Sequence, residues 1–164
     1  MHGKGIVLDF EGSLRDGFKK VGYIIINNFE ILNVNELTKV NSKRAGTLLE
    51  FLGEPYDFFV AHHHKIEKNL IKKEMPYTNF NKSGEWGPWL DTENLYKKLY
   101  PQLRNYKLNY LVKEFLDLED IKESLEKYSP NSKPDFHHPL FDALCSFYLA
   151  KRLMQVVNLK AFLV

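Results

Sequence analysis

Ile6-Val7-Leu8-Asp9-Phe10-Glu11 is an apolar run closed by two acids. Side chains along a strand alternate between faces, so Asp9 and Glu11 point the same way. Two carboxylates on one face of a buried strand repel each other and lose hydration. A divalent cation removes that cost, and Mg²⁺ in particular is held by one or two carboxylates together with phosphate oxygens. The run therefore predicts a strand that carries a metal site for a phosphate-containing substrate. The plain alternative is a solvated strand end.

Outward from this run, residues 5–10 read as the first strand and 12–17 as a turn. Residues 21–26 and 29–34 read as the second and third strands, with Asn27-Asn28 as a tight hairpin turn between them. Ser42 predicts the cap of a helix reaching about Leu52, with Leu48, Leu49 and Leu52 on its apolar side and Gly53-Glu54-Pro55 ending it. Residues 57–62 form a fourth strand of buried types. A helix over 63–73 stops before Pro76, and 77–88 read as a loop. Trp89-Leu90 is a short strand, after which Asp91 or Thr92 caps a helix to Leu99. Leu108–Phe115 and Leu118–Tyr128 are further helices, residues 129–135 a loop. The last helix spans 139–157, with Leu140, Ala143, Leu144, Phe147, Ala150 and Met154 as its buried stripe. A three-strand meander followed by alternating helices and strands predicts an α/β domain with a mixed sheet.

The chain has 164 residues, enough for one domain with a real core and too few for two ordinary ones. A hydrophobic content of 44% with 27% charged residues fits a soluble globular class. The net charge of +2 excludes a large uniformly basic surface, so any nucleic-acid contact must come from local clusters. The one cysteine, Cys145, excludes an internal disulfide and a thiolate metal cluster, and its apolar helical setting predicts a small buried core residue. No apolar run approaches the roughly 20 residues of a membrane span. With no signal-peptide pattern at the N-terminus, a cytoplasmic setting is expected.

Two more segments bear chemistry. In Phe59-Val60-Ala61-His62-His63-His64-Lys65-Ile66-Glu67 an apolar strand runs into a helix with an acid in its first turns. Adjacent residues on a helix do not share a face, so the three histidines cannot all ligate one ion. The plain reading of Glu67 is a solvated acid paired with Lys68 or another cation. In His137-His138-Pro139-Leu140-Phe141-Asp142, Pro139 fits the first position of a helix. His137 then lies in the preceding loop and Asp142 one turn inside, beside the apolar stripe, where an unpaired carboxylate is costly. A salt bridge or a loop hydrogen bond is its structural role; a metal carboxylate is its functional one. Histidine's ordinary pKa, about 6.5, suits a proton acceptor.

The ordered set D-x-E, A-H-x4-acid and H-x4-D resembles the DnaQ-like 3′–5′ exonucleases of the DEDDh group, which includes the proofreading epsilon subunit of bacterial DNA polymerase III. Val21-Gly22-Tyr23-Ile24-Ile25 resembles the family's second strand, Leu90-Asp91-Thr92-Glu93-Asn94-Leu95 its D-T/S-x-x-L segment, and Lys107-Leu108-Asn109-Tyr110-Leu111 its K-L-x-x-L helix. The resemblance spans about residues 5–155 and implies an RNase H-like mixed sheet of about five strands, an antiparallel meander plus parallel strands, flanked by helices. It implies one exonuclease domain over residues 1–164.

By the same resemblance Asp9, Glu11 and Asp142 hold two divalent ions, Mg²⁺ or Mn²⁺, Glu67 acts through a bound water, and His137 is the general base. A tyrosine subgroup would place tyrosine at position 138; His138 stands there, so the histidine subgroup fits better. Three departures stand out: Glu67 replaces the family's aspartate, His63 its asparagine, and Glu11-Gly12-Ser13-Leu14 its E-T-T-G stretch. Phe10, Gly12, Ser13, His63 and Lys65 are the expected substrate contacts. Phe10, Phe141 and Tyr106 are candidates for base stacking, with core packing the plain alternative for each. Lys65, Lys68, Lys72 and Lys73 form a cluster able to track a phosphate backbone, or an ordinary solvated helix face. Residues 118–136 exceed the family minimum and predict an extra helix beside the site. The expected partner is a nucleic-acid 3′ end, with a DNA polymerase subunit as a further candidate. An RNA-trimming enzyme and a degenerate fold serving as a binding or scaffold module are the alternatives.

Overall fold

The computed structural model describes residues 1–38, 52–53, 55–75 and 86–164. The helix expected after Ser42 and most of the expected 77–88 loop fall outside them. Five strands form one sheet: β1 (Lys4–Ser13), β2 (Gly17–Asn27), β3 (Glu30–Thr38), β4 (Phe58–Ala61) and β5 (Trp89–Asp91). Their order is β3-β2-β1-β4-β5. β1, β2 and β3 run antiparallel, and β4 and β5 continue parallel to β1. The helices are α1 (Lys65–Glu74), α2 (Thr92–Leu99), α3 (Leu108–Phe115), α4 (Leu118–Tyr128) and α5 (Pro139–Met154), followed by a 3₁₀ turn, Leu159–Phe162.

Period-two alternation divides the core in two. Val7, Ile24, Val34, Val60 and Leu90 share one apolar cluster with α5 and the helices around it. Ile6, Leu8, Phe10, Tyr23, Phe59 and Trp89 share the other with Leu70 and Ile71 of α1. The sheet therefore lies between helical layers. α5 is the central helix. The expected stripe is buried apart from half-buried Met154, and so are Phe141, Asp142, Cys145, Ser146, Leu149 and Leu153. α5 packs against the sheet on one side and against α3 and α4 on others, which is why it is covered around most of its circumference.

β3 runs on to Thr38, past the expected residue 34, and α5 stops at Met154, short of the expected 157; two turns also differ from expectation. β1 and β2 extend through the expected turn, which narrows to residues 14–16. A bulge between Glu11 and Gly12 lets the pairing continue. The Ser13 hydroxyl then closes the turn by donating to Asp16 Oδ2 and accepting from the Asp16 N–H. The second hairpin turns at Asn28-Phe29, not Asn27-Asn28, with φ of 51° and 61°. A left-handed backbone costs a bulky residue roughly 1–2 kcal/mol. Full burial of a Phe side chain contributes about 1.5–3 kcal/mol. The Phe29 ring is fully buried, 5.8 Å from Phe58 and 6.2 Å from Phe147, so packing wins over local preference.

Candidate active site

Asp9 lies on β1 directly across from Gly22 of β2. A Cβ on Gly22 would come within 2.2 Å of Leu140 N and 2.3 Å of Pro139 C. The missing side chain therefore admits the N-terminus of α5 onto the sheet. Pro139 begins that helix, and Asp142, in its first turn, is thereby carried toward Asp9. Glu67 arrives by another route. Asp91, capping α2, accepts from the backbone N–H of His63 (3.3 Å) and His64 (3.2 Å), from His64 Nδ1 (2.7 Å) and from Asn94 N (3.1 Å) and Nδ2 (3.0 Å). One buried carboxylate thus fixes the β4–α1 loop, and α1 leaves it with Glu67 on its inner side. Glu67 is only 3% exposed.

Asp9 links the three acids electrostatically. Burial raises the Asp9 carboxyl well above the ordinary range, and the Asp142 charge adds to it. Burial pushes Glu67 up to about 9, with Asp9 the next contributor. Burial raises Asp142 to about 6, against the lowering by the His137 N–H and charge. The Cys145 thiol, one turn beyond Asp142, is raised by burial and then by Asp142 and Asp9. Desolvated carboxylates within one another's field resist ionisation. Asp91 behaves oppositely: burial raises it, but the His64 and Asn94 hydrogen bonds outweigh burial and hold it low.

His137 precedes α5 with φ of 71°, and its backbone N–H donates to Asp142 Oδ2 at 3.0 Å. It lines a cavity of about 370 Å³ together with Asp142, His62, His63, Glu93, Lys107, Leu108, Asn109 and Phe136. His138 points elsewhere, its Nε2 3.2 Å from Glu36 Oε2 on β3. His62, Glu93 and Phe136 escaped sequence reasoning as site residues. His62 and Glu93 lie within the A-H-x4-acid and D-T/S-x-x-L segments, whereas Phe136 is marked only by its position before a helix. Burial lowers the His62 pKa despite nearby Glu93 and Asp91, and its Nδ1 is 2.9 Å from Thr92 Oγ1.

The other expected residues divide. Glu11 is exposed, outside the buried trio. Phe10 lies on the opposite face from Asp9, edge-on to Phe18 at 5.6 Å, because adjacent strand residues alternate. Gly12 packs tightly in the β1–β2 hairpin, where a Cβ would meet Gly17 O at 2.4 Å, and Ser13 closes the turn. His63 reaches the cavity, but its Nδ1 is held by Glu93 Oε2 at 2.5 Å. Lys65 is exposed on α1. Lys73 of the same cluster binds the Leu14 and Arg15 carbonyls at 2.6 and 2.8 Å, so it secures the hairpin. Phe141 is buried in the core, and the Tyr106 hydroxyl donates to Tyr100 O at 2.9 Å.

Buried Glu67 Oε2 and Asp142 Oδ1 have no hydrogen-bond partner among the described residues. Such lone pairs are costly unless something accepts their charge. An all-oxygen set of this kind suits a hard divalent cation, Mg²⁺ or Mn²⁺. Among the described residues no three His, Cys, Asp or Glu side chains stand as a ready-gathered ligand set. The fit is one of donor chemistry and position, not of preformed coordination.

The layout is that of an RNase H-like α/β domain. More particularly, it is similar to the solved structure of exonuclease X in complex with 5′-overhanging duplex DNA, with a TM-score of 0.64, 15% sequence identity and 96% of each chain covered. The chain shares the fold of that structure. No protein-family model matches it, nor does any curated protein. Among the described residues no helix is long and apolar enough to cross a membrane.

Proposed function

We propose that residues 1–164 act as one metal-dependent 3′–5′ exonuclease domain. It would hydrolyse the terminal phosphodiester bond of single-stranded or frayed DNA and release nucleoside monophosphates. What supports this reading is that buried Asp9 of β1 lies within the field of Asp142 of α5 and itself acts on buried Glu67 of α1, while the His137 N–H holds Asp142. Asp9, Asp142 and, from its exposed position, Glu11 would hold the two divalent ions, with Glu67 the further acid beside Asp9. The ions supply a neutralised reacting phosphate and a more acidic water. The His137 imidazole takes the proton of the attacking water and passes it to solvent through the cavity mouth. The His137 N–H fixes one Asp142 oxygen and leaves the other open. The scissile bond parts between phosphorus and the 3′ oxygen of the penultimate residue.

The solved neighbour holds duplex DNA with a 5′ overhang, which favours DNA over RNA. A polymerase that presents a frayed 3′ end is the corresponding protein partner, in a cytoplasmic setting. Glu67, longer by one methylene than the family's aspartate, favours the scaffold reading. The test uses matched DNA and RNA oligonucleotides labelled at either end, with Mg²⁺ or Mn²⁺. Stepwise mononucleotide release from the 3′ end of DNA is expected. Release from the 5′ end, or binding with no cleavage under either metal, would overturn the proposal.

A further inference from the structure

The pairing of β1, β2 and β3 puts Asp9, Gly22 and Glu36 in one cross-strand row, since Asp9 is opposite Gly22 and Gly22 is opposite Glu36. Directly paired residues share a face, and α5 packs on that face. The start of α5 spans the row. Asp142 lies near Asp9, Pro139 and Leu140 sit over Gly22, and His138 Nε2 is 3.2 Å from Glu36 Oε2. Both side chains of that last pair are largely buried, at 15% and 21% exposure. The pair is adjacent in sequence to His137, whose backbone is left-handed. Such a backbone persists in a bulky residue only when its surroundings over-determine it. On one side the Asp142 carboxylate holds the His137 N–H. On the other, the Glu36–His138 contact ties the loop to the sheet through charge when His138 is protonated, since Glu36 Oε2 makes no hydrogen bond among the described residues.

We propose that Glu36 is a positioning residue, which through His138 fixes the loop that aims His137 at the buried acids. It touches neither substrate nor metal. Gly22 cannot serve this purpose, because it offers only space. Glu36 supplies the lateral hold that stops α5 and its loop from sliding along β2. The inference rests on the exonuclease reading for its catalytic consequence, and on the contact alone for its structural one.

The full chain is assayed on a 3′-labelled DNA oligonucleotide with Mn²⁺. Outer contacts that orient a reacting group are worth about 10–100-fold in activity, so Glu36→Ala should lower kcat by that factor with KM and Tm little changed. Glu36→Gln removes the charge that pairs with His138 and should lose about as much as Glu36→Ala, while Glu36→Asp keeps the charge and should recover part of the loss. His138→Ala should match Glu36→Ala, and the double variant should be no worse than the poorer single. Unchanged kcat in Glu36→Ala, losses that multiply in the double variant, or a loss that follows Tm and is not rescued by Glu36→Asp would each overturn the proposal. A second readout is independent of cleavage: the ¹⁵N-labelled His137 imidazole resonances should shift in Glu36→Ala and stay fixed in Glu119→Ala, an exposed control on α4. A wild-type chain that cleaves nothing sinks the exonuclease reading. The tie is then judged on those resonances, and unmoved signals refute it.

Discussion

Two loops of this protein are built alike and end differently. The β4–α1 loop and the loop before α5 each contain a histidine with positive φ, His63 at 66° and His137 at 71°. Each leads into a helix whose first turn carries a buried acid, Glu67 or Asp142. The His63 ring is committed to Glu93, and its backbone to Asp91. The His137 backbone is held by Asp142, while its ring has no hydrogen bond to any described residue and faces the cavity. The same local geometry therefore pins one imidazole and leaves the other without a hydrogen bond among the described residues. What distinguishes them is the neighbouring helix: α2 presents Glu93 to the first loop, and no acid on α3 or α4 is hydrogen-bonded to the second among the described residues.

The sharpest way to break this comparison is to exchange the histidines' importance. His137→Ala should lower turnover by about 10²–10⁴-fold, the scale of a general base, with the melting temperature kept. His63→Ala should cost far less; equal losses in a steady-state assay would erase the distinction. Asp142→Asn tests the acid that anchors the catalytic loop. It should cost about 10³-fold, as expected for a charge aimed at the reacting centre, and NMR should show an unchanged fold.

Asp91→Ala tests the anchor of the other loop. Loss of its cap and of the N–H acceptors for His63 and His64 should cost about 1–3 kcal/mol, read by urea denaturation. Activity should fall too, because Glu67 follows that loop. Gly22→Ala should cost about 1–3 kcal/mol by overpacking and lower activity by displacing α5.

A further test reads pH dependence. Glu67 titrates near 9 when folded, against an ordinary value of 4.5. Between those values the folded chain holds a proton that the unfolded chain has released, so stability falls as pH rises across the window. Without metal, Tm should decline from roughly pH 5 to pH 9. Glu67→Gln should flatten the slope, and Mn²⁺ should reduce it. A flat wild-type profile would show that Glu67 is not buried as described.

Much of the fold was legible because its signals are local. Helices α3 and α4 begin and end where their apolar spacing placed them, Asp91 caps α2, and Pro139 opens α5. The three buried acids were each visible as a carboxylate set against an apolar pattern. Their company was less legible. His62, Glu93 and Phe136 carry no periodic mark, and they gather only where helix N-termini converge. Phe10 shows the reverse: its adjacency to Asp9 in sequence placed it on the other face.

The chain's own order of residues determined the strand bearing Asp9, the helix starts that carry Glu67 and Asp142, and the mixed α/β architecture, since alternation, caps and proline act over a few residues. Only the tertiary structure decided that Phe29 would occupy a turn, that α5 would be covered nearly all round, and that Gly22 would admit it beside Asp9. It also decided which of two adjacent histidines would face the acids. These outcomes depend on contacts between segments more than a hundred residues apart, where packing energy exceeds the local preferences that a sequence displays.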